Sequence, residues 1–281
     1  MKTVLVTGAA GYIGKHLCRV LRGHNYKVYG LDIKNDVDMF TPLYQIDISN
    51  TFAIPKHPNP LKFDIVIHLA ALVRVNESVE RPYDYYDTNL NGTQHVLNQI
   101  KFDNFIFAST GTASNPINPY ALSKRCAEDV VIQYCKNNNK PFSIFRFYNV
   151  TGTNGVPATN PDGLFYNLVK AKNEGTFNLY GNDYNTSDGT AIRDYIHVVE
   201  VCNALLLAIE NSSNKIENLG TGVGRSVLEM VNKFKEVNNC DFKVNMLPRR
   251  EGDLEKLVLD NPSSYYKQLY FFDELMKEEN D

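Results

Sequence analysis

The strongest indication of the fold lies in residues 3–14, which read Thr3-Val4-Leu5-Val6-Thr7-Gly8-Ala9-Ala10-Gly11-Tyr12-Ile13-Gly14. Its first five residues are a β-branched apolar run, which is typical of a buried parallel strand. Three glycines follow at once, and a helical pattern then continues to about Arg22. Glycines between a strand and a helix permit a tight turn and a close approach of the backbone to a pyrophosphate at the helix N-terminus. The stretch therefore predicts a dinucleotide-binding unit.

The next predicted strand ends in a carboxylate. Residues 27–32 form this strand, and Asp32 follows Gly14 by 18 residues. That separation is close to the ~20 residues expected for the carboxylate that binds the adenosine ribose. A carboxylate here repels a 2′-phosphate, so the sequence favours NAD over NADP. A third short strand at residues 44–46 leads to Asp47 and Ile48, which such folds place near the adenine.

Strands and helices go on alternating along the first 150 residues. Four or more such alternations predict a doubly wound parallel sheet, in which ligands bind beyond the carboxyl ends of the strands. Ala70–Ala71, Thr110 and Tyr148–Asn149 fall at those ends, whereas His68 is predicted to be a packed core residue. We also predict a proline-rich loop at residues 51–60. The further elements predicted here are strands at residues 64–71, 104–110 and 141–147 and helices at residues 82–100 and 118–135.

A tyrosine and a lysine stand four residues apart in Asn118-Pro119-Tyr120-Ala121-Leu122-Ser123-Lys124. Proline suits the first turn of a helix, and alanine, leucine and lysine are good helix formers. Residues four apart share a helix face, so the phenol of Tyr120 and the ammonium of Lys124 can reach one space. A nearby cation lowers the pKa of a tyrosine, which then serves as a base. The pair therefore predicts proton transfer from an alcohol.

Composition excludes several classes of protein. The chain has 281 residues, a net charge of −3 and a pI of about 6.1, which argues against a partner that is a nucleic acid or a membrane surface. Its five cysteines are odd in number and lack a Cys-x-x-Cys motif, so neither a disulfide framework nor a metal site is expected. Neither a signal peptide nor a membrane-spanning apolar run is predicted. We therefore expect a cytoplasmic location.

The character of the chain changes after residue 150. Residues 151–163 are rich in glycine, asparagine and proline, which marks a loop where a second lobe begins. The predicted division is a Rossmann domain of residues 1–152 with 182–212 and a substrate-binding lobe of residues 153–181 with 213–281. The fold class is therefore α/β, with a doubly wound (Rossmann) parallel sheet and a smaller C-terminal substrate-binding α/β lobe.

Six motifs together resemble the extended short-chain dehydrogenase/reductases, and more narrowly the UDP-glucose (UDP-galactose) 4-epimerases. The last three motifs, in this order, are the specific ones, and the resemblance runs over nearly the whole chain. The six are residues 8–14, Asp32, residues 118–124, Gly181-Asn182-Asp183-Tyr184, residues 188–198 and Arg249-Arg250-Glu251-Gly252-Asp253.

The resemblance implies an isomerase that keeps NAD bound and acts on a UDP-sugar. Tyr120 would take the proton of the sugar's 4-hydroxyl while hydride leaves C4, and Lys124 would hold the nicotinamide ribose and keep Tyr120 anionic. Thr110 would hydrogen-bond the 4-hydroxyl and relay its proton. The 4-keto sugar would then turn over and take hydride back on its other face. Family members commonly pair through the helices at residues 82–100 and 118–135, which implies a homodimer.

The resemblance also implies the residues of the site. Its catalytic residues are Tyr120, Lys124 and Thr110. Its cofactor-binding residues are Gly8, Gly11, Tyr12, Ile13, Gly14, Asp32, Asp47, Ile48, Leu69, Ala70, Ala71, Asn89, Tyr120, Lys124 and Tyr148. Its substrate-binding residues are Thr110, Tyr120, Asn149, Leu164, Tyr180, Arg193, Arg250, Asp253 and Leu257. No metal is implied.

The chain departs from the family pattern in four places. Only residues 111–119 connect the threonine strand to Tyr120, where the family usually has a longer insertion. The segment after Asn149 is also shortened, so fewer loops cover the site. A family lysine appears as Val73, and the position that gates the hexose is Leu257. Leucine is intermediate in size there, which leaves both UDP-glucose/UDP-galactose and the N-acetylated pair open.

Three other functions compete with the epimerase. A sugar-nucleotide 4,6-dehydratase would place an acidic pair after Thr110, where Gly111 and Thr112 stand. A nucleotide-sugar reductase would release NADPH, which Asp32 disfavours. A non-catalytic NAD-binding regulator would not need the intact set of tyrosine, lysine and threonine.

Overall fold

The computed structural model describes residues 1–35, 43–50, 62–155, 160–211, 214–250, 252–262 and 272–277. The chain divides into two units, each made of two separate stretches. Unit 1 comprises Met1–Arg146 and Cys202–Glu217, and unit 2 comprises Phe147–Val201 and Asn218–Asp281. The division predicted from the sequence instead grouped residues 147–152 and 182–201 with the first domain and residues 213–217 with the second lobe. The loop predicted at residues 51–60 lies outside the described residues.

The described strands and helices follow in chain order. The strands are β1 (Thr3–Thr7), β2 (Lys27–Asp32), β3 (Leu43–Gln45), β4 (Lys62–His68), β5 (Lys101–Thr110), β6 (Phe142–Phe147), β7 (Asn149–Thr151), β8 (Thr176–Tyr180), β9 (Ile192–His197), β10 (Lys215–Leu219), β11 (Gly224–Ser226), β12 (Lys243–Leu247) and β13 (Lys256–Leu257). The α-helices are α1 (Tyr12–Gly23), α2 (Val75–Glu80), α3 (Pro82–Tyr85), α4 (Gly92–Gln99), α5 (Pro119–Asn137), α6 (Leu164–Glu174), α7 (Val198–Glu210), α8 (Val227–Val237) and α9 (Phe272–Met276).

The larger sheet has seven strands in the order β10-β6-β5-β4-β1-β2-β3. The pairs of β1 with β2 and β4, of β2 with β3 and of β4 with β5 are all parallel. Apart from β10, this is the strand order of a dinucleotide-binding sheet, with its switch point between β1 and β4. The predicted doubly wound parallel sheet is confirmed.

Register brings the strand ends of unit 1 together. Thr7 at the end of β1 pairs with Leu31 on one side and with His68 on the other. The predicted strand at residues 64–71 therefore stops at His68, and residues 69–71 form an irregular segment beyond it. Apolar side chains of the central strands pack against α4 and α5. Leu5, Val66, Phe105, Val96 and Val131 belong to this buried cluster.

The helix predicted at residues 82–100 contains an irregular turn. The chain is helical from Pro82 to Gln99, but Tyr86–Asn91 forms a π-helix between α3 and α4. Such a wider turn inserts a residue into the helix and rotates the following side chains. Asn89 lies in this turn and is fully buried. No helix of the described ranges is long and apolar enough to cross a membrane.

Local sequence fixes where α5 begins. The side-chain Oδ1 of Asn118 accepts a hydrogen bond of 2.9 Å from the backbone N–H of Ala121, and Pro119 occupies the first helical position. An asparagine cap followed by proline is a strong start signal for a helix. Tyr120 therefore lies in the first turn and Lys124 one turn later, as the sequence predicted.

Unit 2 has its own strands and core. Strand β9 pairs with β7 and β13 in parallel and with β11 in antiparallel orientation, and β8 pairs with β12. The short strands β7, β11 and β13 were not predicted, because each of them forms by pairing with β9 and has no signal of its own in the sequence. Helices α6 and α8 bury their apolar faces in a cluster that includes Leu168, Leu179, Phe234 and Phe242.

Candidate functional site

The glycine turn after β1 has no room for side chains. Gly8 has a φ of +70°, and a Cβ there would lie 2.8 Å from the backbone nitrogen of Ala70. A Cβ on Gly14 would lie 2.1 Å from the carbonyl oxygen of Gly8. Helix α1 begins directly after Gly11, which has no side chain to cover the first N–H groups of the helix. The turn therefore leaves a helix N-terminus suited to an anion.

Asp32 lies beside this turn, as the sequence predicted. Its Oδ2 accepts a hydrogen bond of 2.9 Å from the N–H of Ala10, and its Oδ1 accepts one of 3.0 Å from the N–H of Lys34. Each carboxylate oxygen can accept more than one hydrogen bond, so capacity remains for two hydroxyl groups. The geometry fits a ribose diol at the end of β2.

His68 is a core residue, and a chain of hydrogen bonds fixes its tautomer. Thr93 Oγ1 donates to the carbonyl oxygen of Asn89 at 2.6 Å, so it must accept from His68 Nε2, which lies 3.0 Å away. Nδ1 is then the acceptor for Thr7 Oγ1 at 2.6 Å, and Thr7 in turn accepts from the N–H of Ala70 at 3.1 Å. Burial lowers the pKa of His68 to about 3, with Lys124 contributing, so the ring is neutral.

Asn89 is engaged within the protein. Its Oδ1 accepts a hydrogen bond of 2.8 Å from the N–H of Leu72, and its Nδ2 donates to the carbonyl oxygen of Leu72 and to Ser123 Oγ. Ser123 Oγ donates to the carbonyl oxygen of Tyr120. Asn89 therefore links the segment beyond β4 to the first turn of α5. Its place in a π-turn is the reason that the sequence alone did not reveal this role.

Tyr120, Lys124 and Thr110 lie at one end of unit 1. Lys124 is only 3% exposed, and its Nζ lies 4.2 Å from the centroid of the Phe107 ring. Thr110, at the end of β5, is hydrogen-bonded to Thr112 Oγ1 at 3.0 Å and interacts with the phenol of Tyr120. The Tyr85 ring packs edge-on against the Tyr120 ring with centroids 6.3 Å apart. The structure thus brings together the three predicted catalytic residues.

Burial is the largest cause of the pKa shifts of Tyr120 and Lys124. It raises the pKa of Tyr120 to about 12, although the hydrogen bond from Thr110 opposes it. It also lowers the pKa of Lys124 to about 7, with Glu128 opposing. The shift of Tyr120 is opposite to the one expected from the sequence, because desolvation of the buried phenol is the largest cause and outweighs the hydrogen bond with Thr110. In the chain alone Tyr120 keeps its proton at neutral pH.

The remaining predicted cofactor residues surround the ends of the strands. Asp47 is exposed and accepts from the N–H and Oγ of Ser49, while Ile48 is buried against Gly92. Tyr12 is the first residue of α1, and its ring contacts His16. Three more lie in half-buried positions, and they are Ile13, Leu69 and Ala71.

Unit 2 brings two arginines, a carboxylate and a tyrosine together. Arg193 Nη2 lies 2.9 Å from Asp253 Oδ1, and the guanidinium of Arg250 lies 4.0 Å from the centroid of the Tyr180 ring. The N–H of Asp253 donates to the carbonyl oxygen of Arg250, so one turn holds both residues. Two guanidinium groups of this kind are suited to phosphate oxygens.

Strand β9 is anchored by a carboxylate that the sequence did not single out. Asp194 is fully buried and accepts from the N–H and Oγ1 of Thr221 and from the N–H of Gly222. It directly follows Arg193 and so fixes the strand that carries this arginine. Asn149 donates weakly to the carbonyl oxygen of Asp194 at 3.4 Å.

The last three predicted residues of unit 2 differ in their surroundings. Leu257 pairs with Arg193 in the register of β13 and β9. Tyr148 donates from its backbone to Leu219, and Leu164 packs against the core of unit 2. Leu164 therefore has a structural contact in addition to its predicted role.

The fold and these groups define a dinucleotide-binding α/β protein with a tyrosine and a lysine on one helix face. The chain belongs to the NAD dependent epimerase/dehydratase family, whose model matches residues 4–220.

Several known proteins that are similar to the chain are UDP-sugar 4-epimerases. It is 34% identical to a UDP-glucose 4-epimerase of Lactobacillus helveticus over 92% of this chain and 88% of that protein. It is 32% identical to a putative UDP-arabinose 4-epimerase of Arabidopsis thaliana over 95% of this chain and 71% of that protein. Among solved structures, a UDP-glucose 4-epimerase of Bifidobacterium longum in complex with NAD⁺ and UDP has a TM-score of 0.84 and 28% identity, covering 98% of this chain and 96% of that one.

Proposed function

We propose that the protein is a UDP-hexose 4-epimerase, which interconverts two sugars that differ only in configuration at C4. The observation that carries the proposal is the arrangement of Tyr120 and Lys124 on one face of α5, beside Thr110, in a member of this family. A phenol with a hydroxyl and an amine beside it is suited to moving one proton on and off a carbinol.

The residues of the glycine turn and the end of β2 are suited to binding NAD. The glycine turn leaves the N-terminus of α1 open for a diphosphate, and Asp32 offers a carboxylate that suits a ribose diol and repels a 2′-phosphate. The B. longum relative, crystallised with NAD⁺ and UDP, supports the same assignment.

The chemistry is a proton transfer coupled to a reversible oxidation. When bound, NAD would supply a hydride acceptor that returns the hydride, and its oxidised form would add positive charge. Tyr120 Oη takes the proton of the 4-hydroxyl while C4 loses hydride, and Thr110 Oγ1 hydrogen-bonds the same oxygen. The 4-keto sugar regains hydride on its other face, and Tyr120 returns the proton. Lys124 adds positive charge that favours the phenolate.

Unit 2 supplies groups that recognise a nucleoside diphosphate. Arg193 and Arg250 bind the phosphates, Asp253 the nucleotide ribose and Tyr180 the uracil. The support is their proximity to one another and the fork geometry of guanidinium groups. We assign the substrate to UDP-glucose/UDP-galactose or to the N-acetylated pair, and the intermediate size of Leu257 is compatible with both.

Incubation of the purified protein with UDP-galactose and with UDP-N-acetylgalactosamine tests the activity. We expect at least one of them to equilibrate with its 4-epimer without added cofactor. Chromatography or NMR of the sugar nucleotides measures this, and absorbance after denaturation measures the bound NAD. Failure of both substrates to react would contradict the proposal.

Replacing the proposed base separates catalysis from binding. Tyr120→Phe should lower kcat by about 10³-fold or more, because general acid–base catalysis contributes ~10²–10⁴-fold and the second half-reaction loses it too. The variant should still bind NAD and UDP. Tyr134→Phe, on the same helix, is the matched control and should retain wild-type kcat. A Tyr120→Phe variant with full activity would exclude this tyrosine as the base.

We also propose a homodimer that joins through residues 82–100 and α5. Tyr83 is 81% exposed and Leu122 is 41% exposed, so both elements present large apolar side chains. Light scattering should give twice the chain mass for the wild type and a lower mass for Tyr83→Lys/Leu122→Lys. The control Leu207→Lys, at an exposed position of α7, should leave the mass unchanged. A monomeric wild type would contradict the proposal.

We place the enzyme in the cytoplasm. All five of its cysteines are free thiols, which a reducing compartment maintains.

A further inference from the structure

A fully buried carboxylate lies one helical turn beyond Lys124. Glu128 has no exposed surface and belongs to the face of α5 that carries Tyr120 and Lys124, at spacings of four residues. Its Oε1 accepts a hydrogen bond of 2.5 Å from Ser109 Oγ. Arg146 donates to Oε1 from Nε at 2.8 Å and to Oε2 from Nη2 at 2.6 Å. The carboxylate therefore joins α5 to both β5 and β6.

A contribution to stability does not by itself explain why Glu128 and Arg146 form a buried ion pair. Burying a carboxylate and a guanidinium costs much of what their attraction returns, and apolar residues of similar volume often serve as well or better. Hydrogen bonds, unlike apolar contacts, fix direction and register. Glu128 fixes α5 against Ser109, and the next residue of that strand is Thr110.

We propose that Glu128 is a positioning residue for proton transfer: with Ser109 and Arg146, it holds the helix that bears Tyr120 and Lys124 in register with the strand that ends in Thr110. The inference rests on the proposed epimerase activity. A displacement of about 1 Å between reacting groups can lower a rate by about 100-fold, so a shift of α5 relative to β5 has a large effect on turnover.

The charge of Glu128 also acts on Lys124. It raises the pKa of Lys124 and so opposes the burial that lowers it. Glu128 therefore connects the position of α5 to the charge of the lysine beside Tyr120.

Glu128→Gln tests the proposal with UDP-galactose or whichever substrate the wild type accepts. The variant keeps the shape of the side chain and an acceptor for Ser109, but loses the paired contact with Arg146. We expect kcat to fall by about 10-fold or more, with KM and the amount of bound NAD within twofold of wild type. Wild-type kcat would overturn the proposal. An inactive wild type would contradict the epimerase function instead.

A second pair of variants separates positioning from stability. Glu128→Leu/Arg146→Met removes both charges together and should keep the melting temperature near that of wild type, while kcat stays low. Ser109→Ala, which removes one neutral hydroxyl, should lower kcat by about threefold or more in a folded protein. Recovery of wild-type kcat in the apolar double variant would overturn the proposal.

The matched control is the ion pair of Arg125 and Asp129, whose atoms lie 3.4 Å apart on the exposed side of the same helix. Asp129→Asn should leave kcat unchanged. A pH profile completes the set: the dependence of kcat on pH is measured for the wild type, Glu128→Gln and Asp129→Asn. Because Glu128 raises the pKa of Lys124, the midpoint of this profile should move to lower pH in Glu128→Gln and not in Asp129→Asn, and an equal midpoint in all three proteins would count against the proposal.

Discussion

Lys124 is a buried amine whose charge is opposed by its surroundings. Burial lowers its pKa to about 7 from an ordinary value of 10.5. Between these values the unfolded chain binds more protons than the folded one, so the stability of the ligand-free protein rises with pH. Below about pH 7 both states are protonated and this contribution is constant.

Replacing Lys124 should remove that dependence. We expect the free energy of unfolding of the ligand-free protein to rise from pH 7 to pH 9, and the rise to be smaller in Lys124→Met. Urea unfolding at the two pH values measures the difference. Lys136→Met, at an exposed position near the end of the same helix, is the control. Equal pH dependence in Lys124→Met and wild type would contradict the burial argument.

For individual residues, the sequence predicted which side chains form the site but not how burial changes their pKa values. The four-residue spacing of Tyr120 and Lys124 and the cap at Asn118 are local, and both were visible. The direction of the Tyr120 pKa shift was not, because desolvation depends on strands far along the chain. Glu128 and Arg146 are 18 residues apart in the sequence, and they pair only when α5 packs on the folded sheet.

Among the elements, two helix ends carry glycines that respond differently to the same change. Gly23 ends α1 and Gly175 caps α6, and a Cβ at either position would meet no neighbouring atom. Only Gly175 has a positive φ, of +77°. Steric space is therefore equal at the two sites, and backbone conformation alone distinguishes them.

We expect Gly175→Ala to destabilise the protein by about 1 kcal/mol, because a left-handed conformation costs an alanine roughly that much. Gly23→Ala should stabilise it by about 0.5 kcal/mol, because alanine loses less entropy in a helix. Chemical denaturation of the two variants measures both values. A change of the same sign in both would show that φ does not decide the outcome.

Helices and strands whose own residues favour them were predicted from the sequence. Those that form only through contact with a distant part of the chain were not. The strand and glycine turn of residues 3–14 and the start of α5 follow from side-chain type alone. The π-turn at Tyr86–Asn91 does not, because it forms where Asn89 reaches Leu72 and Ser123. Strands β7 and β13 exist because β9 is available to pair with them.

The reactivity of the five cysteines can show separately whether unit 1 and unit 2 are folded. Cys18, Cys126, Cys135 and Cys202 belong to unit 1, and Cys240 belongs to unit 2. Three of those in unit 1 are buried, whereas Cys126 and Cys240 are partly exposed. Burial also raises the pKa of Cys135 to about 12 and so suppresses its reactive thiolate.

We expect a thiol reagent to modify Cys240 of the native protein quickly and the three buried cysteines of unit 1 only when this unit opens. Mass spectrometry of the labelled peptides measures each rate. Rapid labelling of Cys18, Cys135 or Cys202 in the native protein would contradict the burial of these residues. The Cys126→Ser variant provides a protein whose remaining thiols in unit 1 are all buried.

The division of unit 1 into two stretches of chain has a consequence during synthesis. When residue 147 has been synthesised, six strands of the larger sheet are complete, but β10, which pairs with β6, begins about 70 residues later. At the usual pace of translation this interval is on the order of ten seconds. For that time the edge of β6 is open to pairing with other chains, and a nascent polypeptide is most exposed to aggregation there.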